Sequence, residues 1–550
     1  MRRILPRFGA IALAVAVLTA CGGGGGGTTD NNSSEAPKAL GPITATGEGV
    51  SLNDEGGQAL KLNDPIKGGS LRVGMIAPLE TLDPTHPLNT PGTEVAWLVY
   101  DTLMRYQHDG TVVPELAESM ETEDGGLTWT MKLPKGVKFH DGTPFNAAAV
   151  VAHLERLGGP KSRSGNAGDV RKIKSMKTPD DHTIVFELHE AWTAFDTVFA
   201  PAAYGSAAMV PSPAAVKKWG DEYALHPVGV GPFTVESFKP GGDVVLKRNP
   251  DYRIEGEPYL DELVYVTATD TQARLAALQA GNLDIAMTQA ASDFAKAEAA
   301  GLRVLRQPTY SYYNLLFNLK KAPFDDVRFR KAVIMALDLE GLSKAVFEGL
   351  QPAAKGILPS VHPMRKDTGW PAYNPEEAKK LVEEYTKETG NKAEFQLTTT
   401  SPPEFQRQAA VMQQMLADVG IKVNIDVGDQ PTMVTQANSG NYQAQHRYVG
   451  FNSDFLRGME LNFHSESRAN AGQAGNPAID ELLAKGKKAK PEERAAIAEQ
   501  LQVELTKWLP IVPLIEHTAA FIVGPKVGGF PGQTSGSSVF DARKLWVAQK

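Results

Sequence analysis

The chain has 550 residues, with 56 lysines and arginines against 64 aspartates and glutamates, and a formal net charge of −8. That length exceeds what a single hydrophobic core usually serves, so at least two domains are expected. The acidic balance, with no basic stripe, argues against a nucleic-acid partner, and the single cysteine excludes an intramolecular disulfide.

Arg2, Arg3 and Arg7 precede Phe8 to Thr19, an uncharged apolar run. It is too short to span a bilayer core, which needs roughly 20 residues, and reads as an export signal. Its exit, Leu18-Thr19-Ala20-Cys21, resembles the bacterial lipobox, in which the leader is cut before the cysteine and the sulfur carries a diacylglyceryl group. The resemblance implies a signal peptide over 1–20, lipidation at Cys21 and contact with the bilayer through it. Residues 21–65 are dominated by Gly, Asn, Ser, Thr and Pro without apolar periodicity, and a disordered tether is expected there. Gly22, Gly24 and Gly27 also match the spacing of a dinucleotide fingerprint. No strand precedes them and no helix follows, so the match carries no weight.

Leu71 to Met75 alternates as a short strand, and Leu127 to Leu133 alternates again before Pro134. Asn146 can cap a helix that places Ala147, Val150, Val151, Leu154 and Leu157 on one face, stopped at Gly158-Gly159. Thr271 to Leu278 reads as a helix closed by Gly281-Asn282, with a strand from Leu283. Asn374-Pro375-Glu376-Glu377 is a cap, a first-turn proline and acids suited to the helix dipole. Ala378, Leu381, Val382 and Tyr385 follow at helical spacing to Gly390. Phe405 to Val419 reads as a further helix, and Ile421, Val423, Ile425 and Val427 alternate as a half-buried strand. Helix and strand alternating in this way indicate mixed α/β domains.

Catalytic patterns are absent from the text: no Gly-x-Ser-x-Gly elbow, no phosphate loop and no His-Glu-x-x-His zinc motif. The 11 histidines are scattered. His140, before Asp141-Gly142, reads as a turn residue with a local hydrogen bond. Asp326 reads as the cap of a helix beginning near Val327.

Several segments together resemble the extracytoplasmic solute-binding proteins of ABC importers, in the family of the oligopeptide, dipeptide and nickel receptors. They are Tyr100-Asp101-Thr102-Leu103, Gly136 to Pro144, Gly229-Val230-Gly231-Pro232-Phe233, Lys239-Pro240-Gly241, Leu246 to Tyr252, Leu278 to Asp284 and Asn318 to Arg328. Their physical reading is structural: Gly229 and Gly231 suit a tight approach into a strand through backbone angles other residues avoid. The resemblance implies an α/β, two-lobed periplasmic-binding-protein-like (type II) fold with an additional inserted α/β domain. It places the first lobe at 66–84, 216–308 and 516–550, the inserted domain at 85–215 and the second lobe at 309–515. The lobes would close over a solute without chemistry or cofactor, and a single chain would deliver it to ABC permease subunits outside the cytoplasm.

In the family's peptide receptors a segment like Gly-Trp-x-x-Asp-x-x-Asp-Pro supplies an aspartate for the peptide amine. Gly450 to Gly458 matches it, keeping an aromatic as Phe451 and the acid as Asp454, and replacing the second acid by Arg457. The resemblance therefore implies Asp454 as the cation partner in a receptor for peptides or peptide-like solutes. Arg457 either meets an extra carboxylate or phosphate of the ligand or is solvated. Arg407 corresponds to an arginine that some relatives use for a peptide carboxylate, or is an ordinary surface residue. Tyr312, with Tyr310 and Tyr313 near the expected hinge, can stack on a ligand or serve the core. The alternatives are an exported lipoprotein hydrolase or peptidase on the same scaffold, and a receptor for nickel, haem, an opine or an oligosaccharide.

Overall fold

The computed structural model describes residues 50–52, 58–60, 65–107, 111–200, 206–450, 454–467, 470, 472–532 and 539–548. The expected signal peptide, Cys21, most of the expected tether and Phe451 lie outside the described residues. In chain order the strands that organise the fold are β1 (Ser70–Met75), β2 (Ser119–Glu121), β3 (Thr128–Lys132), β4 (Ile173–Asp180), β5 (Thr183–Leu188), β6 (Phe233–Phe238) and β7 (Val244–Arg248). They continue with β8 (Glu262–Thr267), β9 (Ile285–Thr288), β10 (Arg303–Phe317), β11 (Glu394–Thr400), β12 (Lys422–Gly428), β13 (Ala444–Gly450) and β14 (Ile511–Val523).

One 10-stranded sheet runs β6-β7-β8-β1-β9-β14-β10-β13-β11-β12, and a separate 4-stranded sheet runs β2-β3-β5-β4. The long strands β10 and β14 hold the middle of the large sheet, pairing antiparallel from Arg303↔Val523 to Leu316↔Ile511. Every residue of β14 is buried, which suits a central strand covered on both faces. The β10–β14 register breaks between Pro308 and Tyr312 and again between Tyr313 and Asn314. Such breaks bend a strand and sharpen its twist.

Distinct hydrophobic cores form around this frame. One packs α1 (Thr90–Tyr100) on β1 and β8 through Leu71, Val73, Val95 and Tyr265, with Phe521 and Phe540. A second joins Phe317, Phe324, Phe329, Tyr385, Phe395 and Leu397 on the other flank of the sheet. The 4-stranded sheet has its own, with Trp129, Phe186, Phe195 and Phe199 beside α2 (Ala147–Gly158) and α3 (Ala167–Val170). The last lies among α5 (Phe455–Phe463), α6 (Pro477–Lys488) and α7 (Pro491–Trp508), with α4 (Pro403–Asp418) standing over the second core instead.

Local signals behave as their chemistry demands. Asn146 Oδ1 accepts from Ala149 N at 3.0 Å and starts α2 at Ala147. Asn374 caps Pro375–Thr389, whose buried face is Ala378, Leu381, Val382 and Tyr385, and Gly390 ends it at φ 70°. The strand expected after Gly420 is β12, the edge strand of the large sheet, and Val427 near its end is 49 % exposed rather than half-buried. Gly229 and Gly231 differ from expectation in their reason. Neither takes a positive φ; a Cβ on Gly229 would stand 2.2 Å from Val99 O, and one on Gly231 would stand 2.3 Å from Leu98 O. They are glycines because backbone passes against backbone, with Gly231 N donating to Val99 O at 2.9 Å.

Candidate functional site

The scaffold motifs converge at the end of α1. Asp101, at φ 59°, accepts from Tyr252 Oη at 3.0 Å and from Arg253 Nε at 2.9 Å. Arg253 and Arg543 share Glu115 Oε1, each at 2.8 Å. Asn249 Nδ2 donates to Gly231 O at 2.9 Å, and His140 Nε2 reaches the same oxygen at 3.0 Å. The partner of His140 is thus distant in sequence rather than local. All these groups satisfy one another, so this knot fixes the frame and offers a solute nothing.

Strand β13 leads to the candidate site. It pairs with β10 from Phe317↔Ala444 to Ser311↔Gly450, while its ladder to β11 covers Leu397↔Ala444 and Thr398↔Gln445. On one face lie Tyr313, Phe405, Tyr448 and His517, with Tyr313 centroids 5.1 Å from Phe405 and 6.1 Å from Tyr448. Tyr448 is 41 % exposed, an aromatic wall open on one side. Burial pulls His517 down to about 4 and His446 down to about 3, so both imidazoles are neutral at physiological pH. Thr309 Oγ1 and Thr399 Oγ1 meet His517 Nδ1 and His446 Nδ1 at 3.0 and 3.2 Å. No carboxylate bonds either imidazole among the described residues, and all four groups are buried, which does not make a nucleophilic triad.

Of the sequence-expected residues, Asp454 and Arg457 meet in a charged junction, while Tyr312 and Arg407 stand apart from it. Tyr312 is 0 % exposed, packed with Leu316, Ile357, Leu358 and Phe455, and its hydroxyl donates to Gly356 O at 3.3 Å. Arg407 is exposed on α4, with no ion-pair partner among the described residues. Asp454 is 5 % exposed and caps α5, Oδ1 accepting from Arg457 N at 3.2 Å and from Arg494 Nη2 at 2.7 Å. Its Oδ2 has no hydrogen-bond partner among the described residues. Arg494 also donates to Gly486 O at 3.1 Å, which fixes the guanidinium between α6 and the cap.

Arg457 is not solvated. One nitrogen meets Asp169 of α3 and the other meets Glu460 Oε2 at 2.6 Å, and Lys487 completes the set at 2.5 Å from Glu460 Oε1. Burial would raise Glu460, but Lys172, Arg457 and Lys487 outweigh it and hold the carboxyl at about 2. Nearby, burial pushes Asp196 up to about 6, with the Asp454 charge adding to the rise. Sequence reasoning did not single out Asp169, Trp192, Glu460, Lys487 or Arg494. Each reads locally as an ordinary helix or loop residue, and only the tertiary fold assembles them. Among the described residues no group of three or more His, Cys, Asp or Glu side chains could hold a metal ion, and no helix is long and apolar enough to cross a membrane.

A family profile described as "Bacterial extracellular solute-binding proteins, family 5 Middle" matches residues 111–470. The chain belongs to this family. The glutathione-binding protein GsiB of Salmonella choleraesuis (strain SC-B67) is 30% identical over 466 residues, covering 82% of this chain and 89% of that protein. The substrate-binding protein CtaP of Listeria monocytogenes superposes with a TM-score of 0.77 at 23% identity, covering 88% of this chain and 100% of that one. AgaA of A. tumefaciens R10, solved in complex with agropinic acid, gives 0.74 at 27% identity, covering 88% and 99%. The fold is that of the periplasmic binding proteins. This family 5 protein is accordingly the solute-binding component of an ABC importer, of a kind exported from the cytoplasm and built to bind rather than transform.

Proposed function

We propose that the protein captures a peptide or peptide-like small solute by closing two lobes over it, and hands it to ABC permease subunits while held to the membrane through Cys21. The observation that carries the solute class is Asp454: a buried carboxylate whose Oδ1 is engaged by Arg494 while Oδ2 is left for a ligand ammonium. An ammonium seated there would form a charge-assisted bond in a low-dielectric setting, where such bonds are strongest. The glutathione-binding name of relatives at 30% identity supports an amino-acid-derived ligand of tripeptide size. Tyr448 and Tyr313, paired across β13 and β10, offer an aromatic surface to the solute. Phe451 and Arg407 are the further ligand contacts of this reading, Arg407 at the ligand's carboxylate end.

Closure would use β10 and β14, whose register breaks lie where the two flanks of the large sheet join. The lobes are then 66–84, 216–308 and 516–550 on one side and 309–515 on the other, with 85–215 as the inserted domain. Tyr312, fully buried in this strand pair, would act on the ligand by holding that region rather than by touching it. The complex with agropinic acid in a relative at 27% identity favours a second reading, an opine as cargo.

A thermal-shift panel on the full chain tests the proposal, using di-, tri- and pentapeptides, glutathione, agropinic acid, oligosaccharides and nickel. A ligand at 100 times its Kd adds about 2.7 kcal/mol of stability. A shift for glutathione or peptides, absent in Asp454→Asn measured against that variant's own Tm, is expected. A shift confined to sugar or metal would refute the solute class, and turnover of a peptide would refute the binding-only reading.

A further inference from the structure

We propose that Arg457 is the pin of an electrostatic latch that joins the 4-stranded-sheet unit to the α5–α7 bundle and holds the receptor closed. This rests on the closure reading above and names the contact that closure makes. Two hydrophobic cores, one built on Phe186, Phe195 and Phe199 and one on Phe455, Met459 and Leu501, share no residue. They meet through Arg457, whose side chain is 15% exposed and bonds Asp169 on the far side, 7% exposed, 288 positions away in the chain.

The cations and anions of this junction interleave. Arg457 also bonds Glu460, Glu460 bonds Lys487, and Lys172 Nζ lies 3.5 Å from Asp169 Oδ1. Trp192 is set between the cations, its ring 4.5 Å from Lys172 Nζ and 5.7 Å from the Arg457 guanidinium carbon. Backbone completes the join: Thr193 N donates to Lys487 O at 2.9 Å, and Thr193 Oγ1 donates to Ala489 O at 2.6 Å.

Chemistry of this kind suits a contact that must open. Two apolar faces pressed together would be costly to part, whereas charges that separate regain their hydration, so the desolvation and Coulomb terms nearly offset. The latch then biases closure without locking it. A carboxylate at this position would face Asp169 and Glu460, so the latch depends on a cation there.

Hydrogen exchange on the full chain reads the latch directly, because the Thr193 amide is bonded across the junction. Arg457→Ala and, as an isosteric second variant, Asp169→Asn should each speed exchange at Thr193 roughly tenfold, leaving β10 and β14 amides protected. Raising salt should move the wild type the same way. With glutathione as probe, the variants should raise its dissociation rate and leave its association rate nearly unchanged. Thr193 exchange unchanged in both variants, or raised equally in β10 and β14, overturns the latch. If glutathione binds neither wild type nor variant while Thr193 exchange still rises, the latch stands and the solute class falls.

Discussion

Glu94 offers a sharp test of how burial governs charge in this protein. It is 0% exposed on α1, where Tyr265 Oη donates to its Oε1 at 2.6 Å and its Oε2 has no hydrogen-bond partner among the described residues. Burial pushes the carboxyl from the usual 4.5 up to about 8, the Tyr265 bond offsetting only part of the rise. Between those values the folded protein keeps a proton that the unfolded chain has released. Stability should therefore fall with rising pH, by about 1.4 kcal/mol per unit and roughly 5 kcal/mol across the whole interval. Glu94→Gln has no proton to lose, so this slope should vanish. Its buried amide nitrogen lacks an acceptor, which costs about 1–3 kcal/mol at every pH. The two stability curves should cross: wild type the more stable at pH 5, the variant the more stable at pH 9. Urea unfolding followed by tryptophan fluorescence measures both, and other titrating groups cancel in the difference. Parallel curves from pH 5 to 9 would refute the reasoning.

Gly231→Ala should lose more than about 3 kcal/mol in urea midpoint analysis, since its Cβ would meet the Leu98 carbonyl oxygen at 2.3 Å and backbone cannot yield cheaply. Arg494→Ala should lower stability by about 3–5 kcal/mol by stranding the buried Asp454 charge, and bound ligand ammonium should restore part of it in a thermal scan. Tyr448→Ala, at an exposed aromatic, should leave Tm within about 1 °C and weaken glutathione binding roughly tenfold in a calorimetric titration. Cys21→Ser should move the protein from the membrane to the soluble fraction of a cell lysate.

What the sequence revealed depended on whether the cause was local. Helix starts at Asn146, Asn374 and Asp326 are side chain to near-backbone bonds, and each formed where the residues indicated. The alternating strands at Leu71 and Leu127 appeared for the same reason. The glycines of Gly229-Val230-Gly231 were legible as constrained positions, but the constraint is a distant helix end, which no local pattern encodes. Asp454 stood out through its motif; Arg494, which holds it, lies 40 residues on and carries no signal of its own. Arg457 left two readings open because its partner Asp169 belongs to another core altogether. Charge pairing across cores is a property of the assembled fold.

The most direct test of a receptor that works by closure is small-angle X-ray scattering of the full chain during a glutathione titration. The account predicts a fall in radius of gyration that saturates with the same dissociation constant as calorimetric binding. It also predicts that Arg457→Ala shifts the starting value upward. Saturable binding with no change in radius would contradict closure as the mechanism.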